Sequence, residues 1–402
     1  MLDLEKFIKE HITERSESLL AEDLETHHNE LGERINGRSV MVIGGAGTIG
    51  SSYIKALLQY RPSRLFVFDT NENGLTELTR DLRSSTGLNV PPVYKNYPIN
   101  FGDPIFYKIL EKEGPFDIIG NFAAHKHVRS EKDHYSIEAM LQNNVGFTKK
   151  LIDYLLTADP GHFFCVSTDK ATNPVNVMGA SKKVMEEMLL AYAGKLPITT
   201  ARFANVAFSN GSLLQGFIER MMKNQPLSAP SDVRRYFVSP EESGQICLLA
   251  SIVGKPGEII FPKLDAGSMK TFSAIAVDFL RAWGYEPLFC KSEDEARQLA
   301  STYIVGQKEY PVYFFESDTS GEKPFEEFYA ENEQVDFTRF NALGVVRKVK
   351  TKSIPEINDF IRNLEEIFNN RNIDKTQVIK FIGDFIPDFN HVETGFSLDQ
   401  KM

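Results

Sequence analysis

Chemistry is most concentrated at Ser167-Thr168-Asp169-Lys170, where a hydroxyl, a carboxyl and an amine stand on consecutive residues. A carboxyl and an amine that close together can supply and remove protons at neighbouring atoms of one substrate. The stretch runs on through Thr172-Asn173-Pro174-Val175-Asn176-Val177-Met178-Gly179-Ala180-Ser181-Lys182. Met178 and Lys182 are four residues apart, so on a helix they share a face. A second concentration is Gly44, Gly47 and Gly50, spaced G-x-x-G-x-x-G. Such a turn brings backbone N–H groups and a helix N-terminus against a pyrophosphate. Asp69 follows at the end of the next apolar run, where a carboxylate binds an adenosine ribose. No Lys or Arg stands in Asp69-Thr70-Asn71-Glu72-Asn73 to meet a 2′-phosphate, which favours NAD over NADP.

The elements that position these residues follow from periodicity. Apolar runs at 39–43, 64–68, 117–120, 162–166 and 198–203 alternate with helical stretches such as 51–60 and 75–82. That alternation predicts an α/β fold with a Rossmann-type, doubly wound parallel sheet covered on both faces. Both chemical stretches then leave the sheet at strand ends, where open α/β sheets carry their sites. Residues 1–36 predict a helical extension, with Leu4, Phe7, Ile8 and Ile12 at helical spacing. The expected organisation is an NAD-binding unit over 37–210, with a segment near 235–262 returning to it. A smaller mixed α/β substrate unit is expected over 211–350. A helical extension is expected over 351–402, with a helix near 354–368.

The chain has 402 residues and a formal net charge of −10. An acidic balance excludes general nucleic-acid binding, which needs a basic footprint. No run approaches the roughly 18 apolar residues of a membrane span, and the first residues lack the order of a signal peptide. Cys165, Cys247 and Cys290 are odd in number and far apart, and read as reduced core thiols. These features place the protein in a reducing cytoplasm. His125 and His127 have a metal-like spacing, but no acidic or Cys cluster accompanies them, so no metal is expected. The Met residues 185, 188, 221 and 222 read as helix packing.

The motifs together resemble the extended short-chain dehydrogenase/reductases. Within them the chain is similar to the nucleotide-sugar 4,6-dehydratases of the CapD-like polysaccharide-biosynthesis family, typified by UDP-N-acetylglucosamine 4,6-dehydratases. The resemblance runs from about Gly37 to Leu264 and resumes at Gly321-Glu322-Lys323-Pro324-Phe325-Glu326-Glu327. It includes Ala123-Ala124-His125-Lys126-His127-Val128, Asn144-Val145-Gly146, Arg202-Phe203-Ala204-Asn205-Val206, Ser209-Asn210-Gly211-Ser212 and Arg235-Tyr236-Phe237. The chain departs from the pattern at Met178, where most of the superfamily has Tyr, and so resembles the Met-for-Tyr subset. It departs also at Asn210 and Thr319, where Arg is usual, and at Ile43, where Thr is usual.

The resemblance implies a homo-oligomer that binds NAD tightly and regenerates it at each turnover. It implies C4 oxidation of a UDP-linked N-acetylhexosamine, loss of water across C5 and C6, and hydride return to C6. Asp169 is then the acid and Lys170 the base. Thr168 relays a proton, Lys182 holds the nicotinamide ribose, and Met178 packs against sugar or nicotinamide. Cofactor contacts are implied at Gly44, Gly47, Thr48, Ile49, Gly50, Asp69, Asn100, Ala123 and Ala124. Substrate contacts are implied at Lys126, His127, Asn205 and Ser212, with Arg202 and Arg235 on the diphosphate. Glu242 matches a family position with no chemical role. Three other readings stand beside this one: the same reaction on a GDP-linked sugar, a 4-epimerase, and a non-catalytic nucleotide-sugar binder.

Overall fold

The computed structural model describes residues 2–302, 306–347, 351–370 and 373–394. Its centre is a nine-stranded sheet. The strands are β1 (Ser39–Ile43), β2 (Arg64–Phe68), β3 (Val93–Tyr97), β4 (Ile118–Asn121), β5 (His162–Val166), β6 (Ile198–Ala201), β7 (Ile259–Pro262), β8 (Gln334–Asp336) and β9 (Leu343–Arg347). Their spatial order is β3-β2-β1-β4-β5-β6-β7-β9-β8. All pairs from β3 to β7 are parallel, and β9 and β8 join antiparallel. This is the predicted doubly wound fold, with its switch point between β1 and β4, where the glycine turn leaves β1.

Every residue of β1, β4, β6 and β7 is buried, as strands covered on both faces must be. One apolar cluster packs the helix Thr48–Leu57 and the helix Pro240–Ile252 on one face. A second packs the helix Val177–Tyr192 and Ile354–Asn369 on the other. The segment 351–370 thus belongs to the core, while 371–372 and 395–402 of the expected C-terminal extension lie outside the described residues. The strand β9 carries four buried residues and extends the main sheet. Its antiparallel direction has no mark in the sequence, because a five-residue apolar run reads the same either way.

A smaller parallel sheet of Glu286–Phe289, Glu309–Phe315 and Leu227–Pro230 stands beside the large one. The first residues pack there: Phe7, Ile8 and Ile12 are buried with Phe208, Phe217 and Phe279. Arg15 binds both carboxylate oxygens of Glu242 at 2.9 and 2.8 Å, and Glu242 also caps the helix Pro240–Ile252. Glu242 is therefore a structural anchor for the N-terminal segment. The three cysteines are free and buried. Among the described residues no helix is long and apolar enough to cross a membrane.

At the start of β5, His162 Nε2 lies 2.7 Å from Thr199 Oγ1, whose own proton goes to the Ala250 carbonyl. The hydroxyl can therefore only accept, which fixes the neutral imidazole with its proton on Nε2. Burial lowers the His162 pKa to about 4. The unfolded chain then binds a proton at about pH 6.5 that the folded chain refuses until about 4. Stability is expected to fall by about 1.4 kcal/mol per pH unit from this residue as pH drops through that window. His162→Gln should flatten that part of the slope in urea denaturation. An unchanged slope would contradict the assignment.

Candidate functional site

The glycine turn is built as a dinucleotide requires. Gly44 has φ +77°, and a Cβ there would lie 2.5 Å from Ala123 N. A Cβ on Gly50 would lie 2.2 Å from Gly44 O. Those two glycines are fixed by the protein's own packing. Gly47 differs: a Cβ would meet nothing nearer than Gly44 O at 3.4 Å, so the space over the helix is open. Gly47 precedes the helix Thr48–Leu57 and no side chain caps its N–H groups, which leaves them for an anion. Asp69 is set beside the turn by two backbone bonds, Ala46 N to Oδ2 and Asn71 N to Oδ1, both 2.9 Å. Ala123 and Ala124 follow β4 across the turn, with Ala123 N donating to Asn121 Oδ1. Asn100 follows β3 and accepts from Gly102 N. Ile49 is half-buried against the core. These residues fit a dinucleotide.

The acid–base stretch leaves β5. Thr168 caps a single 3-10 turn, Asp169–Ala171. Asp169 is 2% exposed, and its Oδ1 accepts from Thr168 Oγ1 at 2.8 Å, Lys170 N at 2.9 Å and Lys170 Nζ at 3.2 Å. Glu326 approaches the same ammonium from the other side, Oε1 to Nζ 3.6 Å, and also lies 3.9 Å from Arg235 Nη2. Burial pulls the Lys170 pKa down, but the pull of Asp169 and Glu326 outweighs it and the net shift is upward. Burial pushes the Glu326 carboxyl up, Asp169 adds to that, and Lys170 and Arg235 only partly offset it.

Glu326 lies in the Gly321–Glu327 stretch, which straps across the loop that leaves β5. Asn176 Nδ2 donates to Gly321 O at 2.7 Å, and Lys323 Nζ to Thr172 O at 3.0 Å. In the sequence this stretch stands out only as a landmark of the resemblance. A Glu amid charged residues reads as solvated, and nothing local marks Glu326 as the buried one.

Several expectations are corrected. Arg202 does not face a diphosphate. It is fully buried, bound bidentately to Glu186 and to Glu333 and singly to Phe328 O. The five N–H groups of a guanidinium have no capacity left in that arrangement. Arg235 is 4% exposed and holds the strap, donating to Lys323 O and to Glu322 Oε1. Ser212 caps the helix Leu213–Met222 by accepting from Gln215 N, which uses an oxygen lone pair only and does not overturn the expected substrate contact. Met178 is 2% exposed and packs in the apolar cluster on the helix Val177–Tyr192 side of the sheet. Lys182 lies deeper than a ribose contact implies. The residue is 3% exposed, its ammonium donates to Val166 O at 3.0 Å at the end of β5, and burial lowers its pKa.

The remaining candidates converge near the glycine turn. Thr48 Oγ1 accepts from Asn210 N at 2.9 Å, and Lys126 Nζ donates to Asn210 O at 3.0 Å. His127 packs on Gly211, and burial lowers the pKa of both Lys126 and His127. Asn144, buried, ties this loop to the helix Val177–Tyr192 by bonds to His125 and Ser181. Six buried side-chain polar atoms have no partner among the described residues, Tyr107 Oη, Asn121 Nδ2 and Ser228 Oγ among them; the other three, Asn205 Nδ2, Thr172 Oγ1 and Glu326 Oε2, belong to residues of the stretches discussed here. Such atoms are uncommon in a folded protein and mark places for a ligand or a proton. A further cluster, Glu131, His391 and Glu393, has metal-like geometry but also holds the Lys375 ammonium.

The family described as polysaccharide biosynthesis protein matches residues 40–348, and the chain belongs to it. A Methanocaldococcus jannaschii protein, described as an uncharacterized membrane protein, is 32% identical over 62% of this chain and 74% of its own length. The capsular polysaccharide biosynthesis protein CapD of Staphylococcus aureus is 24% identical over 78% of this chain, which spans about half (51%) of that relative. The UDP-N-acetylglucosamine 4,6-dehydratase (inverting) of Campylobacter jejuni is 25% identical over 58% of this chain and 68% of its own length. The X-ray structure of Pen from Bacillus thuringiensis superposes with a TM-score of 0.62 at 20% identity, covering 82% of this chain and 98% of that one. That likeness shows the fold.

Arg202→Ala leaves Glu186 and Glu333 buried without their cation, and is expected to cost about 3–5 kcal/mol in chemical denaturation. A loss under about 1 kcal/mol, with nucleotide-sugar binding abolished instead, would restore the diphosphate role.

Proposed function

We propose that this family member is an NAD-dependent nucleotide-sugar 4,6-dehydratase acting on UDP-N-acetylglucosamine. The observation that carries the reading is the Asp169–Lys170 pair at the C-terminal end of β5, beside a glycine turn fitted to a dinucleotide. An acid and a base on adjacent residues serve elimination across two adjacent carbons, whereas a 4-epimerase needs neither at C5 and C6. The name of the Campylobacter relative supports the substrate.

The nicotinamide of NAD, when bound, supplies hydride acceptance from C4 and hydride return at C6. The rest falls to the chain. Thr168 Oγ1 takes the C4 hydroxyl proton and passes its own, already hydrogen-bonded to Asp169 Oδ1, to that carboxylate. Lys170, as the amine, removes the C5 proton, which the new 4-keto group acidifies. Asp169 delivers its proton to the departing C6 hydroxyl, which leaves as water. Lys170 returns a proton to C5. Every proton is accounted for, and the net change is the loss of one water. Met178 takes no part in proton transfer, so the relay through Thr168 stands in for the usual Tyr. Asn205, with its unpartnered amide nitrogen, offers a donor to sugar or phosphate oxygens.

The test is mass spectrometry of the purified protein with UDP- and GDP-N-acetylglucosamine in separate tubes. The expected outcome is loss of one water's mass from the UDP sugar without added NAD. Asp169→Asn should abolish that loss and retain NAD binding. Loss from the GDP sugar instead would change the nucleotide. No mass change, with a C4 epimer in the proton NMR spectrum, would replace the reading with epimerisation.

A further inference from the structure

Lys170 has two carboxylate neighbours, and the mechanism above uses only one of them. Asp169 sits on its own turn; Glu326 arrives on the strap and is 5% exposed. The groups facing Glu326 are Lys170 and Asp169 from the catalytic loop, Arg235 from the strand Arg234–Arg235, and Lys323 from the strap itself. Glu322 draws Arg235 away, binding its Nη2 at 3.2 Å while Glu326 is at 3.9 Å. Glu326 thus makes only long ion pairs, at 3.6 and 3.9 Å, and its Oε2 has no hydrogen-bond partner among the described residues. A carboxyl this buried, with an oxygen left over and an ammonium within reach, is arranged to gain a proton.

We propose that Glu326 is the positioning residue that takes the proton of Lys170 and converts its ammonium into the amine that removes the C5 proton. This rests on the dehydratase reading and deepens it. The transfer is internal: one proton passes from Lys170 Nζ to Glu326 Oε1, the N–H bond breaks, the O–H bond forms, and the nitrogen keeps the electron pair. Neither charge then remains to be paired, so the exchange removes an ion pair from a site with little water to solvate it. The present separation of 3.6 Å closes to hydrogen-bond length with a shift of a few tenths of an ångström. The upward shift of the carboxyl, caused chiefly by burial, agrees with a group ready to accept. After elimination the proton returns along the same path when Lys170 reprotonates C5. The partner lies more than 150 residues away along the chain, so the strap has to be closed for Lys170 to be active.

The experiment compares wild type, Glu326→Gln and Glu326→Asp in single turnover as a function of pH. C4 oxidation is read from nicotinamide absorbance and water loss from mass. Glu326→Gln should keep C4 oxidation within about twofold and slow water loss about 100-fold near neutrality. Its residual elimination should rise about tenfold per pH unit, because Lys170 must now lose its proton to solvent, while the wild-type rate is flat over the same range. Glu326→Asp should restore part of the rate and of the flat profile. A Gln variant with wild-type rate and profile would overturn the proposal. So would equal losses of oxidation and elimination, the mark of a structural role. Absence of water loss from the wild-type protein would instead overturn the dehydratase reading, and this assignment with it.

Discussion

One ammonium held between two buried carboxylates organises the loop that leaves β5. Lys170 rides on the turn that leaves β5, and Asp169 beside it belongs to the same turn. Glu326 comes from the far end of the chain and reaches the ammonium only because the strap is tied down by Asn176, Arg235 and Thr172. A charge removed from water needs its partners in place, since an uncompensated buried ion costs several kcal/mol. The same requirement that stabilises Lys170 therefore couples the C-terminal strap to the catalytic loop. The loop cannot hold its working arrangement unless the strap is docked.

A second buried cluster lies close by in sequence and shows the opposite design. Arg202 donates to Glu186, Glu333 and Phe328 O, and Glu186 also accepts from Ser167, the residue before Thr168. Every guanidinium proton has a position to go to. That cluster fixes β6, the helix Val177–Tyr192 and the segment before β8 against one another, and it has nothing left to offer a ligand. The Lys170 cluster keeps spare capacity at Glu326 Oε2, with Thr172 Oγ1 and Asn205 Nδ2 also unpartnered. Two groups of buried charges can thus be told apart by what remains unsatisfied. Of these two clusters, the saturated one braces the fold, and the unsaturated one has room for a ligand or a proton.

The strand runs that build β1, β2, β4, β5 and β6 were legible because parallel strands buried on both faces leave short uninterrupted apolar runs. Gly44, Gly47, Gly50 and Asp69 were legible because their roles are local: a tight turn, an open helix end and a carboxylate one strand away. Thr168, Asp169 and Lys170 are neighbours in the chain and needed no fold to bring them together. Arg202 and Arg235 were misread as phosphate ligands because a guanidinium suits carboxylate and phosphate alike, and its partners Glu186, Glu333 and Glu322 are set by tertiary packing. Glu326 was overlooked for the same reason. Its importance lies in burial and in the distance to Lys170, and neither is written in residues 321–327 alone.

The most direct test of Lys170 as the base is turnover of UDP-N-acetylglucosamine in heavy water, with the product examined by mass and proton NMR. The account predicts solvent deuterium at C5, because the Lys170 amine carries exchanged deuterons beside the proton it removes, and a Lys170→Met protein that oxidises C4 yet incorporates none. A product with no deuterium at C5 at all, or incorporation that persists without the lysine amine, would contradict it.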